Sequence, residues 1–116
     1  MIDYDKEFVV ALKKVLPTYH ELLITGSEKN PCITYQEINN YDEETGDTVG
    51  YSRIKYQVKV WHNNISEIKQ YIKAIDKSVR PLGFKRTNTN ELHDRQSSMI
   101  QKILQYEAKA YEQYDN

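Results

Sequence analysis

Within residues 4–16, apolar side chains fall at Phe8, Val9, Leu12, Val15 and Leu16, a helical spacing with one apolar face. Asp3 and Asp5 set negative charge at the start of this stretch. Lys13 and Lys14 set positive charge near its end, as the helix dipole favours. Pro17 disfavours helical geometry at Leu16, so the pattern predicts a first helix over 4–16. A short apolar patch at 20–24 follows, and then Gly26, Ser27, Glu28, Lys29, Asn30 and Pro31, which read as a loop. Residues 32–38 are β-prone through Ile33, Thr34, Tyr35 and Ile38. The polar stretch 39–50 reads as a connection. The clearest strand covers 53–62, where Ile54, Tyr56, Val58 and Val60 alternate with Arg53, Lys55, Gln57, Lys59 and Trp61. Period two with one apolar face means that one side packs and the other meets water or a partner. The two strands and their acidic connection predict a long hairpin.

Asn63 and Asn64 break the strand. Asn64 followed three residues later by Glu67 approximates a capping box with Asn in place of Ser or Thr. Ile65, Ile68, Ile72, Ile75 and Val79 then form one narrow apolar stripe on a second helix of about four turns. Arg80, Pro81, Leu82 and Gly83 end it, with Gly83 suited to the positive φ of a helix stop. Residues 84–89 suggest a strand, and Asn88, Thr89, Asn90 and Glu91 a turn. The tail carries two patterns. Met99, Ile100, Ile103, Leu104, Ala108 and Tyr111 recur at helical spacing, whereas a strand face of Ile100, Leu104, Tyr106, Ala108 and Ala110 is interrupted by Lys102. Pattern alone favours helix there.

At 116 residues the chain suffices for one domain, 1–116, and not for two. The apolar fraction is 39% and the mean hydropathy −0.79, so the core is lean, and ten tyrosines must supply much of its volume. A net charge of −1 argues against a dedicated duplex binder, which draws affinity from an excess of basic residues. A single cysteine, Cys32, excludes an internal disulfide framework and fits a reducing compartment. No apolar run approaches the roughly 18 residues of a membrane span. The acidic start Met1-Ile2-Asp3-Tyr4-Asp5 is unlike a signal peptide. These features lead us to expect a soluble intracellular domain.

Candidate chemistry is sparse. Cys32 with His20, His62 or His93 lacks any local nucleophile signature. The histidines are not spaced as paired metal ligands, and one cysteine cannot build a zinc knuckle. Asp42, Glu43, Glu44 and Asp47 miss the glycine and glutamate offsets of a calcium loop and read as a solvated hairpin tip. Gly46, Gly50 and Gly83 are isolated turn residues, so no glycine-rich phosphate cradle exists. We expect no enzyme, no cofactor, no metal and no small-molecule substrate. The face bearing Arg53, Lys55, Lys59 and Trp61 interleaves bases with an aromatic ring. That pattern suits single-stranded nucleic acid, a solvated sheet face or a subunit contact.

The order of elements resembles the tail-completion family of long-tailed bacteriophages and prophages, the tail-terminator or tail-to-head joining proteins. The resemblance is carried by Pro31-Cys32-Ile33-Thr34-Tyr35, by Tyr56-Gln57-Val58-Lys59-Val60-Trp61 with residues 66–75, and by Leu82-Gly83-Phe84-Lys85-Arg86-Thr87. Glu91-Leu92-His93-Asp94 with Ile103-Leu104-Gln105-Tyr106-Glu107 resembles the family's last hairpin. The resemblance implies that 98–111 is a strand. It gives an α+β fold of about four mostly antiparallel strands, in the order α-β-β-α-β-β, with two helices on one face. It also implies a structural role in virion assembly. A homo-oligomeric, commonly hexameric ring caps the head-proximal end of the tail tube and joins it to the head connector, so the protein sits in the tail or neck after synthesis in the host cytoplasm. A heterologous interface closing by rotation builds such a ring. Asp42, Glu43, Glu44 and Asp47 are then expected to contact neighbours, with Arg53, Lys55, Lys59 and Trp61 as a complementary side. The alternative is a single-stranded nucleic-acid-binding module using the latter face.

Overall fold

A computed structural model describes residues 4–21, 30–43, 51–94 and 99–111. Helix α1 spans Tyr4–Lys13, three residues shorter than its apolar pattern. The chain then tightens: the Val15 N–H and the Leu16 N–H both donate to the Leu12 carbonyl, at 2.9 and 3.2 Å. Pro17 follows at once, and its constraint on Leu16 explains why the α-helix yields before the apolar residues end. The next three residues, Thr18–His20, form a strand, β1, that the sequence pattern did not reveal. Three residues are too few for a period to emerge, and β1 exists through its parallel pairing with β2, Thr18 opposite Ile33.

Strands β2 (Cys32–Glu43) and β3 (Tyr51–His62) form the expected antiparallel hairpin, longer than the apolar pattern suggested. Residues 39–43, read as connection, pair with 51–55, because backbone ladder bonds do not need apolar side chains. A register shift lies between Glu37 and Asn39. After helix α2 (Ile65–Val79) and a single 3₁₀ turn (Arg80–Leu82), β4 spans Lys85–Asp94 and β5 spans Met99–Tyr111. The turn expected at 88–91 is therefore strand, and the irregularity sits slightly earlier, between Arg86 and Asn88. Among the described residues the sheet has five strands rather than four, in the order β1-β2-β3-β5-β4. All its pairings are antiparallel except β1 with β2.

The tail is strand, against its helical spacing. Ile100, Leu104, Tyr106 and Ala108 are buried on the helix-covered face, while Ile103 points to the other. Lys102 shares the core face but reaches sideways, its ammonium 3.0 Å from Glu91 on β4. An interrupted alternation thus conceals a real strand.

Helix α2 forms where its apolar stripe predicted, with one departure at each of its first features. Asn64 is the N-cap, its side-chain oxygen accepting from the Glu67 N–H at 3.2 Å. Only that half of the capping box forms, because the Glu67 carboxylate turns to His62 instead. Ile68, Ile72, Ile75 and Val79 are buried, but Ile65, in the first turn, is exposed. Gly83 closes the following turn at φ +90°, a left-handed conformation that glycine adopts without penalty.

Both helices lie on the face formed by Ile54, Tyr56, Val58 and Val60. Phe8 of α1 stacks on Tyr56 with ring centroids 4.2 Å apart and also meets Phe84 at 4.6 Å. The Ser78 hydroxyl of α2 donates to the Ala11 carbonyl of α1 at 2.7 Å, linking the two helices.

Candidate functional site

With both helices on one side, no helix among the described residues lies on the opposite face of the sheet, called the uncovered face below. The register places Arg53, Lys55, Gln57, Lys59 and Trp61 of β3 on it, all partly exposed. Their neighbours follow from pairing. Gln36, Gln57, Gln105 and Asn88 form an amide row across four strands, and Glu107 lies beside Lys55, flanked in turn by Lys85. Exposed apolar side chains on this face are Tyr19, at 37%, and Leu92, at 55%. The four residues singled out in the sequence therefore do share one surface.

Their charge is largely answered from within the chain. The Arg53 guanidinium lies 3.0 Å from Glu107, and the Lys59 ammonium pairs with Glu21 just after β1. The Trp61 indole N–H donates to the Thr34 hydroxyl at 2.9 Å, so the ring lies along the sheet over a buried threonine. Glu107 and Glu21 were missed in the sequence because each meets its base only through a non-local strand pairing. Of the expected acidic contacts, Asp42 and Glu43 end β2 opposite Ser52 and Tyr51, while Glu44 and Asp47 lie outside the described residues.

On the helix side, two tyrosines paired across β3 and β5, Tyr56 and Tyr106, each bond a helix carboxylate. The Tyr56 hydroxyl donates to Asp5 of α1 and the Tyr106 hydroxyl to Asp76 of α2, both at 2.6 Å. Burial first, and then the hydrogen-bonded and charged aspartate, push both phenols well above the ordinary tyrosine range, with Arg86 working against the shift at Tyr106. Burial and the charge of Asp5 also raise Tyr35.

Asp76 and Tyr106 belong to a cleft of about 300 Å³ lined also by Arg80, Phe84, Lys85 and Arg86. Arg86 bonds the second Asp76 oxygen at 3.2 Å. The side chains of Arg80 and Lys85 are exposed and have no ion-pair or hydrogen-bond partner among the described residues. Sequence reasoning missed this cluster. The only signal was Arg80 and Arg86 on either side of the helix stop, brought to one cleft once Gly83 turns the chain.

The candidate catalytic groups do not converge. Cys32 faces the uncovered side, whereas His20 packs edge-on to Tyr35 and His62 contacts Glu67 on the helix side. His62 is 8% exposed and its Nδ1 has no hydrogen-bond partner among the described residues. Among those residues no group of three or more His, Cys, Asp or Glu side chains is placed to hold a metal ion.

No family model matches the sequence, and no curated protein matches it. The fold does have a counterpart among solved structures. A chain described as "Virion of native gene transfer agent (GTA) particle" is similar over 94% of this chain and 92% of its own length, with a TM-score of 0.64 and 10% sequence identity. At that identity the likeness is one of fold.

Proposed function

We propose that this chain is a structural protein of a phage-like virion, and within the virion the tail-completion protein. In this reading several copies close into a ring on the head-proximal end of the tail tube, stop its growth and present a surface to the head connector. The observation that carries the reading is the end-to-end fold likeness to a chain from a gene transfer agent virion, covering nearly all of both chains. It meets the sequence resemblance at Tyr56-Gln57-Val58-Lys59-Val60-Trp61 and Leu82-Gly83-Phe84-Lys85-Arg86-Thr87, which are β3 and the α2-to-β4 joint. A sheet bare on one face also suits a protein whose work is to be covered by neighbours. Arg53, Lys55, Lys59, Trp61 and the acids Asp42, Glu43, Glu44 and Asp47 are the contacts this reading assigns.

Inactivating the gene in its phage or prophage, inducing lysis and imaging the lysate by negative-stain electron microscopy tests the reading. Filled heads lying apart from tails, with tails of irregular excess length, are the expected result. Intact infectious particles in normal numbers would contradict it.

A second reading rests on Arg53, Lys55, Lys59 and Trp61 sharing the uncovered face, which suits stacking and charge contacts to a single strand. It is the weaker of the two, because Glu107 and Glu21 already offset two of the three cations. Binding of single-stranded oligonucleotide that falls steeply with salt supports it, and no binding at low salt removes it.

A further inference from the structure

We propose that the solvent side of helix α2 binds the phosphate backbone of double-stranded DNA through a row of four cations, Lys69, Lys73, Lys77 and Arg80. The helix buries Ile68, Ile72, Ile75 and Val79. Four residues return a helix to nearly the same face, about 40° on. Lys69, Lys73 and Lys77 therefore form one line beside the buried stripe, and Arg80 at the C-cap extends it. The line runs along the flank of Asp76, which reaches Tyr106 of β5 and Arg86 of β4, and away from Ser78, which bonds α1. At about 1.5 Å per residue the row is about 16 Å long. All four side chains are exposed, and none has an ion-pair or hydrogen-bond partner among the described residues.

The helix itself gains nothing from this arrangement. Like charges four residues apart destabilise a helix, and Lys69 with Lys73 and Lys73 with Lys77 are two such pairs. The helix dipole accounts for Lys77 and Arg80 at the C-terminal end, but not for Lys69 and Lys73. The acids of α2 are engaged elsewhere: Asp76 holds Tyr106 and Arg86, and Glu67 turns to His62. The row is left facing outward with one sign of charge.

The kind of cation indicates the partner. Lysine is depleted in protein interfaces, where arginine and aromatic side chains lead. A phosphate backbone takes lysines as point charges, with no fork geometry to meet. Single strands are held by aromatic stacking as well as charge. No aromatic side chain stands in the row, because Tyr71, the one tyrosine of α2, lies on the other flank beside His62. A duplex presents one charge per roughly 3.4 Å of axis on each strand, so a row of about 16 Å spans several phosphates. The net charge of −1 argues against affinity drawn from the whole surface, but not against a local row of one sign. The row is a property of α2 alone and does not depend on the tail-completion reading.

The test is fluorescence anisotropy of a labelled duplex of mixed sequence, titrated with the purified full-length chain at several salt concentrations. Binding at low salt is expected, and four phosphate contacts at about 0.9 each predict that log Kd rises with log salt at a slope of about 3–4. Lys69→Gln, Lys73→Gln and Lys77→Gln together should weaken binding at least about tenfold and lower the slope by about 3. Glutamine is a good helix former and the change removes two repulsive pairs, so the thermal midpoint should not fall. Lys13→Gln, Lys14→Gln and Lys55→Gln remove the same charge from cations that also lack partners among the described residues. They should change affinity less than about threefold. Absence of binding at low salt overturns the inference. So does equal loss in the two triple variants, which would trace binding to net charge alone. Tighter binding of a single strand of equal length, or of poly-glutamate, also overturns it, in favour of a single strand or of an acidic protein partner. None of these outcomes bears on the tail-completion reading, which the gene-inactivation experiment decides.

Discussion

Two phenols do unusual service in this small core. Tyr56 and Tyr106 are 1% and 0% exposed, stand opposite each other on adjacent strands, and each offers its proton to an aspartate on a different helix. Hydrogen bonds to charged acceptors are the stronger kind. Tyr106→Phe is expected to cost about 2 kcal/mol, since Asp76 keeps Arg86 but loses its shortest bond. Tyr56→Phe is expected to cost about 1 kcal/mol, because Asp5 is exposed and water can replace the lost donor. Chemical denaturation of the two variants checks the order. The same bonds set an alkaline limit. Both phenols titrate above their unfolded value near 10, so the native state keeps protons that the unfolded state releases. Their contribution is complete below pH 10 and falls as pH rises beyond it, by about 1.4 kcal/mol per pH unit for each tyrosine. A stability profile from pH 8 to 12 should be flat and then descend, and the descent should be shallower in the double Phe variant.

At the scale of elements, the second helix is the most self-determined part of the molecule. Its stripe, its Asn64 cap and its Gly83 stop act locally, and each made its position legible in the sequence. Asn64→Ala should cost about 1 kcal/mol through the lost cap. Ile75→Ala, at a fully buried site, should cost about 2–5 kcal/mol. Gly83→Ala meets no neighbouring atom within 4 Å, so its cost, about 1 kcal/mol, is that of the left-handed backbone alone. Thermal or urea unfolding of the three variants checks this ranking. The strands were less legible because their determinants are distant. β1 exists only by pairing with Ile33 and its neighbours, and the ends of β2 and β4 are polar segments held by backbone ladders. For β5 the helical spacing of Met99, Ile103 and Leu104 misled, and the family resemblance corrected it. The basic face was legible in its residue types but not in its charge state. Glu21 and Glu107 reach Lys59 and Arg53 only after the chain has folded.

At the scale of the whole molecule, the described residues form one sheet with helices on one side and, on the other, rows of amides, paired charges and a few apolar side chains. Its helical side carries a cleft at the β4 edge that holds Arg80, Arg86 and Asp76. A chain from a gene transfer agent virion is similar in fold over nearly its whole length, and the tail-completion role is our reading. The measurement that tests this reading most directly is a cryo-electron-microscopy reconstruction of the intact particle carrying this gene, at a resolution that allows the chain to be traced. The account expects copies of this chain in a closed ring at the junction of tail and head, touching tube subunits on one side and connector subunits on the other. A junction built wholly from other chains would contradict it.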